Sequence, residues 1–94
     1  MKVLTTTIKI LLSLDNIRMQ IVCTNKKIIH IGIFEGENEI YLYKKQDITD
    51  FIELLKLSLD NKEEYIFYYN NISITFKYEE VKSLYNYIKE ELLK

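Results

Sequence analysis

The feature that most constrains the fold is a regular two-residue alternation of apolar and polar side chains through the first half of the chain. It runs over residues 6–14, 17–24, 29–33 and 40–43, and short stretches rich in Asp, Asn, Gly and Lys interrupt it. Successive side chains of a strand point to opposite faces, so the pattern predicts half-buried strands joined by tight turns, a four-stranded antiparallel meander. The side chains expected to face the core are Ile8, Ile10, Leu12, Leu14, Ile17, Met19, Ile21, Cys23, Ile29, Ile31, Ile33, Ile40 and Leu42.

From residue 47 onward the periodicity is that of two helices with one further pair of strands between them. Asp47 is the expected N-cap of the first helix, whose core stripe is Ile48, Phe51, Ile52, Leu55 and Leu59. Residues 65–69 and 72–76 flank Asn70-Asn71, which tolerate left-handed backbone and so predict a hairpin. The last helix is expected from Tyr78, with the stripe Val81, Leu84, Tyr85, Ile88 and Leu92. Residues 1–94 are therefore predicted to form a single α+β domain: an antiparallel sheet (four-stranded meander plus hairpin) with two helices on one face, in the order ββββ-α-ββ-α.

Composition excludes several classes of protein. The 94 residues carry 13 basic and 14 acidic side chains, so there is no bulk charge that would attract nucleic acid or an anionic membrane. A single cysteine, Cys23, rules out a disulfide framework and a cysteine-based zinc site. Lys9 interrupts the apolar N-terminal stretch, which is therefore not predicted to be a signal peptide, and no run is long enough to span a membrane. The expected location is the cytoplasm, where a lone thiol stays reduced.

The residues with catalytic potential do not form a recognisable constellation. The chain has only two glycines, Gly32 and Gly36, and their spacing does not match a phosphate-binding loop, so a nucleotide cradle is not expected. Cys23 is expected in the core, where a thiol behaves as a small hydrophobe, and His30 is expected on a solvent-facing strand position without a carboxylate nearby. The glutamates come as runs suited to turns and helix ends rather than to a pocket. We therefore expect a protein that is not an enzyme and that uses no cofactor or metal.

One candidate binding surface is the outer face of the meander. Residues 1–45 contain seven basic and four acidic side chains, so this half is locally positive. Cationic and aromatic side chains on an open sheet are used to bind single-stranded nucleic acid, through phosphate neutralisation and base stacking. Exposed strands also carry Lys, Thr and Tyr for β-propensity alone. The candidate nucleic-acid-binding residues are Lys9, Arg18, His30, Tyr41 and Tyr43.

The second candidate surface belongs to residues 46–94, which hold six basic and ten acidic side chains. Tyrosine is enriched in interface hot spots, and surrounding carboxylates can steer a basic partner into place. An alternative is that the tyrosines of this half only cover a small core. The candidate protein-binding residues are Glu63, Glu64, Tyr68, Tyr87 and Glu91.

No family motif can be quoted from these residues. As a class, the small, partly acidic, motif-free profile resembles phage-encoded inhibitors, anti-CRISPR proteins among them. The resemblance implies a non-enzymatic protein-interaction module, an inhibitor that occupies the nucleic-acid-binding surface of a host protein. This is the interpretation that the sequence favours, with a single-stranded DNA or RNA-binding domain as the alternative. An exposed edge strand could also pair with its own copy and form a homodimer.

Overall fold

The four strands of the first half form the predicted meander. The computed structural model describes residues 6–92. Each strand is antiparallel to the strand before it, and the order across the sheet is β1-β2-β3-β4. The bounds are Thr7–Ser13 for β1, Arg18–Thr24 for β2, Lys27–Glu35 for β3 and Asn38–Leu42 for β4. The alternating pattern therefore predicted this sheet correctly.

The second half contains two helices and a hairpin, which completes the predicted order ββββ-α-ββ-α. The helices are α1, Lys45–Asp60, and α2, Tyr78–Tyr87, which continues into a π-helical turn over Ile88–Leu92. The hairpin strands β5, Tyr65–Tyr69, and β6, Ile72–Phe76, form a separate two-stranded sheet. Asn70 and Asn71 both have positive φ, at 47° and 66°, as a two-residue type I′ turn requires. Within residues 6–92, neither helix is both long enough and apolar enough to cross a membrane.

A single hydrophobic core lies between one face of the meander and the layer formed by the helices and the hairpin. The alternate side chains of β2 and β3 supply one side of it, and the predicted stripes of both helices supply the other. The opposite face of the meander, here called the outer face, carries no helix or strand from the described part of the chain. The fully buried side chains are Ile17, Ile21, Ile31, Ile33, Leu42, Phe51, Leu55, Ile74, Phe76, Val81 and Ile88.

Of the side chains predicted to face the core from the meander, Ile29 is on the wrong face and Ile8 is only partly covered. A β-bulge between Val22 and Cys23 shifts the register, so Cys23 lies opposite Ile28 rather than Ile29. Ile28 consequently packs against the core, and Ile29 points outward with 47% of its surface exposed. Ile8 has the predicted orientation but is 52% exposed, because it lies near the end of the edge strand.

The predicted cap of α1 is also wrong. The helix begins at Lys45 and its N-cap is Lys44, which makes no side-chain capping bond. Asp47 lies inside the first turn, where its carboxylate accepts a hydrogen bond of 3.0 Å from the hydroxyl of Tyr69. The carboxylate therefore joins the hairpin to the start of α1 and does not cap the helix.

Candidate functional site on the outer sheet face

Three cross-strand rows of side chains make up the part of the outer face that carries the candidate residues. Pairing across the sheet brings together residues that are far apart in the chain, because antiparallel neighbours that lie directly opposite share a face. The rows are Lys9, Val22 and His30; Leu11, Gln20, Gly32 and Tyr41; and Ser13, Arg18, Phe34 and Glu39. All of the candidate nucleic-acid-binding residues except Tyr43 therefore lie on these rows, and Tyr43 follows β4 directly.

Three rings on this face are nearly parallel to one another. Tyr43 stacks on His30, with ring centroids 4.4 Å apart and the planes 25° from parallel. Tyr41 is stacked against the same pair, 6.0 Å from His30 and 6.5 Å from Tyr43. Phe34 approaches Tyr41 edge-on, with the ring centroids 5.6 Å apart. The outer face thus presents a continuous aromatic cluster, defined here as His30, Phe34, Tyr41 and Tyr43.

His30 is the buried member of this cluster and lies beneath Tyr43. Only 8% of its surface is exposed, so the expectation of a solvent-facing histidine is wrong, because Tyr43 covers the imidazole. Its Nδ1 atom is buried without a hydrogen-bond partner among the described residues. Tyr43 itself is 68% exposed. One face of the Tyr43 ring therefore rests on His30, while the other face is open to solvent.

Gly32 allows the aromatic cluster to lie close to the sheet. A Cβ atom at this position would lie 3.1 Å from Cζ of Phe34 and 3.5 Å from Nε2 of His30. An added side chain would therefore require the Phe34 ring to shift by a few tenths of an ångström. Alternation places residues 30, 32 and 34 on one face of β3, but it does not give the side-chain conformation that brings the Phe34 ring over Gly32.

Lysines that are far apart in the sequence line one groove beside Tyr43. A groove of about 470 Å³ lies between the β2–β3 turn and the start of α1. Its rim includes Lys26, Lys27, Lys45 and Tyr43. Lys44 lies between Tyr43 and Lys45 in the chain. Its apolar lining is Ile28, Ile29, Ile48 and Ile52. The bulge that turns Ile29 outward therefore places apolar surface between the lysines. None of these four lysines was predicted as a site residue from the sequence.

The other end of the outer face has mixed charge. The hydroxyl of Tyr41 donates a hydrogen bond of 3.0 Å to the carboxylate of Glu39. This bond is the main reason that the pKa of Tyr41 is raised, with burial and the negative charge of Glu39 as further causes. Arg18 is exposed in the same row as Glu39. Positive charge is therefore concentrated around Tyr43 rather than spread along the whole face.

The candidate protein-binding residues do not gather into one patch. Glu63 and Glu64 are exposed just before β5, and because Tyr65 pairs with Phe76 they lie near the start of α2. Glu91 is exposed beyond the other end of α2, about 20 Å away at the helical rise of 1.5 Å per residue. Their role in binding a protein stays a prediction.

The two tyrosines of this set have different environments. Tyr87 is partly buried and packs against the core, as expected of a tyrosine that covers it. Tyr68 is 72% exposed, because it lies on the side of the hairpin that faces away from the core. Tyr65 and Phe67 occupy the buried side of the same strand. Tyr68 is therefore the more accessible of the two tyrosines.

The groups with catalytic or metal-binding potential are dispersed. Cys23 is buried, and burial raises the pKa of its thiol, which disfavours the reactive thiolate. Within residues 6–92, no three His, Cys, Asp or Glu side chains are grouped so that they could hold a metal ion.

Comparisons with protein-family models, with curated proteins and with solved structures find no significant match to this chain.

Proposed function

We propose that this protein is a non-enzymatic binding domain that holds single-stranded DNA or RNA on its outer sheet face. The observation that carries the proposal is the exposed ring of Tyr43, which stacks on His30 and lies beside a groove rimmed by Lys26, Lys27 and Lys45. Proteins that bind single strands without strong sequence preference combine an aromatic stacking surface with a positively charged track for the phosphates.

The two exposed tyrosines are suited to take successive bases. The ring planes of Tyr41 and Tyr43 are 19° from parallel, and a single residue separates the two tyrosines in the chain. The contact with His30 fixes the orientation of Tyr43 before any ligand arrives, so less side-chain entropy is lost on binding. In this arrangement His30 is a positioning residue, and the tyrosine rings make the contact with the bases.

The lysine groove supplies the electrostatic part of the proposed interaction. Lys26, Lys27 and Lys45 are all exposed, and Lys9 is exposed on the outer face in the row of His30. Phosphate contacts of this kind release condensed counterions, so binding should weaken steeply as salt concentration rises. Attraction concentrated around Tyr43 would overcome the net charge of −1 of the whole chain.

The proposal is tested by fluorescence anisotropy with a labelled single-stranded oligonucleotide at several salt concentrations. Tyr43→Ala is expected to weaken binding at least about fivefold, because stacking on an aromatic side chain is worth about 1–3 kcal/mol per base. Tyr68→Ala is the matched control, since Tyr68 is similarly exposed but lies on the hairpin and not on the outer face. Lys27→Ala is expected to reduce the slope of log K against log salt by about 0.7, whereas Lys56→Ala on α1 should leave it unchanged.

Two results would contradict the proposal. The first is an absence of binding at low salt by the unmodified protein. The second is an equal loss of affinity in Tyr43→Ala and Tyr68→Ala, which would show that the outer face has no special role.

The second candidate function is the protein-interaction module that the sequence favours. The specific observation in its favour is the solvent-facing side of the hairpin, where Tyr68 and Ile66 are both exposed next to the acidic loop of Glu63 and Glu64. An exposed tyrosine flanked by apolar surface and carboxylates suits a basic protein partner, such as a nucleic-acid-handling protein that a phage-type, anti-CRISPR-like inhibitor would block.

The two functions predict opposite effects from the same pair of variants. If a host protein is captured by the immobilised chain, Tyr68→Ala should abolish capture and Tyr43→Ala should retain it. Reversing Glu63 and Glu64 to Lys should then slow association and reduce its dependence on salt. Capture that survives both changes would contradict a role for the hairpin.

Either function is proposed to operate in the cytoplasm. Cys23 is free and buried, as is usual for thiols in a reducing compartment.

A further inference from the structure

We propose that the protein forms a homodimer in which β1 pairs with β1 of a second copy, antiparallel and centred on Ile10. The proposal is independent of the ligand of the outer face. The starting observation is that β1 is the edge of the meander, and no strand within residues 6–92 pairs with its free side. The far strand, β4, contacts β6 of the hairpin, so β1 is the more open edge.

The backbone of β1 leaves alternate hydrogen-bonding groups unused. Leu14 donates its N–H to the carbonyl of Ile17, and Asn25 donates its N–H to the carbonyl of Thr6. Antiparallel pairs alternate between hydrogen-bonded and non-hydrogen-bonded positions, so the even-numbered residues of β1 bond to β2. The N–H and C=O groups of Thr7, Lys9, Leu11 and Ser13 consequently point to the open edge.

The side chains of β1 are also incompletely covered. Ile10 and Leu12 are only partly buried although they face the core, and Ile8 on the same side is mostly exposed. On the outer face, Leu11 has 72% of its surface in solvent. A long edge strand with exposed apolar side chains and a single charge, Lys9, is a template for pairing with another chain.

The sequence of β1 is complementary to itself in one register. With Ile10 opposite Ile10 of the second copy, Ile8 lies opposite Leu12 and Lys9 lies opposite Leu11. The odd-numbered residues then occupy the hydrogen-bonded positions that their free backbone groups require. The apolar side chains of both copies would meet on the core side, and all seven residues of the strand would be paired.

The neighbouring symmetric registers are less favourable. A dimer centred on Lys9 would place the two lysines directly opposite each other, which is destabilising. A dimer centred on Leu11 would place Thr7 opposite Asp15, which lies outside the strand. A second copy is therefore the occupant that this edge fits, because a two-fold axis at Ile10 satisfies both the backbone and the side chains.

The dimer is tested by sedimentation velocity over protein concentrations from about 1 μM to about 1 mM, since pairing of one short strand gives a modest affinity. The decisive comparison is Leu11→Lys against Leu11→Glu. In the proposed register Leu11 faces Lys9 of the second copy, so Leu11→Lys is expected to give monomers and Leu11→Glu to preserve the dimer. Leu57→Lys, at an exposed position on α1, is the control and should remain dimeric.

Hydrogen exchange gives a second readout. The amides of Lys9 and Leu11 should become protected as the protein concentration rises, whereas those of Ile10 and Leu12 should be protected at every concentration. Three results would overturn the proposal: a wild-type protein that stays monomeric up to the highest concentration, an equal effect of Leu11→Lys and Leu11→Glu, or loss of the dimer in Leu57→Lys. Circular dichroism confirms that each variant remains folded.

Discussion

At the scale of single residues, the hydroxyl groups of Tyr65 and Tyr69 lie on the same side of β5 in different environments. The Tyr69 hydroxyl donates to the carboxylate of Asp47 at 3.0 Å. The Tyr65 ring packs against Phe51 and Phe76, and its buried hydroxyl has no hydrogen-bond partner among the described residues. A buried polar group without a partner lowers stability, because it has given up its hydrogen bonds to water.

The first prediction compares Tyr65→Phe with Tyr69→Phe. Removing the unpartnered hydroxyl of Tyr65 is expected to raise the free energy of unfolding by about 1 kcal/mol, since the ring and its aromatic contacts remain. Tyr69→Phe loses the hydrogen bond to Asp47 and should lower the free energy of unfolding instead. Urea denaturation at neutral pH measures both changes. A destabilised Tyr65→Phe variant would mean that the hydroxyl has a partner.

At the scale of elements, α2 depends on a carboxylate three residues from its N-cap. Oε1 of Glu80 accepts a hydrogen bond of 3.0 Å from the backbone N–H of Lys77, and the Glu80 side chain is buried. The bond satisfies a donor that the helix itself cannot use, and the charge lies at the positive end of the helix dipole. The adjacent Glu79 has the same charge but is exposed, and it provides a matched control.

The second prediction concerns this contact. Glu80→Ala is expected to lower the free energy of unfolding by about 1 kcal/mol, as loss of a helix-capping bond typically does. Glu80→Gln retains an acceptor oxygen and should lose less, and Glu79→Ala should have little effect. Thermal denaturation followed by circular dichroism measures all three. Equal effects of Glu80→Ala and Glu79→Ala would indicate general helix electrostatics rather than this hydrogen bond.

Sequence periodicity was sufficient to locate the strands and helices of residues 6–92 but not the details at their ends. The six strands and two helices of this range were predicted because their alternation and stripes extend over several turns or pairs. The orientation of Ile29 was wrong because a bulge adds one residue to one strand only, and alternation cannot detect it. The cap at Asp47 was wrong because its carboxylate bonds to Tyr69, a residue of a distant element.

The candidate site was less predictable than the fold for a similar reason. The tyrosines of the outer face could be placed by strand phase, and the structure does bring Tyr41 and Tyr43 together. The groove depends on how the β2–β3 turn packs against α1, which places Lys26 near Lys45. Tertiary packing of this kind leaves no periodic signal in a single sequence.

At the scale of the whole molecule, several groups have pKa values that are raised on folding. The pKa of Tyr69 is raised mainly by its hydrogen bond to Asp47, and that of Lys77 mainly by its hydrogen bond to Asp15. Burial raises the pKa of Tyr65, and the hydrogen bond to Glu39 raises that of Tyr41. In each case the folded state holds its proton more tightly than the unfolded state does.

The third prediction is therefore a loss of stability in alkaline solution. The contribution of these groups to the free energy of unfolding is complete below the unfolded tyrosine pKa of about 10. It is lost as the pH rises through the higher pKa values of the folded state. Urea midpoints measured between about pH 8 and about pH 11 are expected to fall. Tyr65→Phe should reduce the steepness of this fall, because it removes one of the titrating groups. A midpoint that stays constant over this range would contradict the assignment.

The order of strands across the meander has a consequence for how quickly the chain folds. Every strand in both sheets pairs with the strand next to it in sequence, across a short turn. The loop-closure entropy of each pairing is therefore small, and folding rates fall as the sequence separation of contacts grows. We expect this chain to fold faster than a β-sandwich with the same number of strands, as stopped-flow refolding measurements would show.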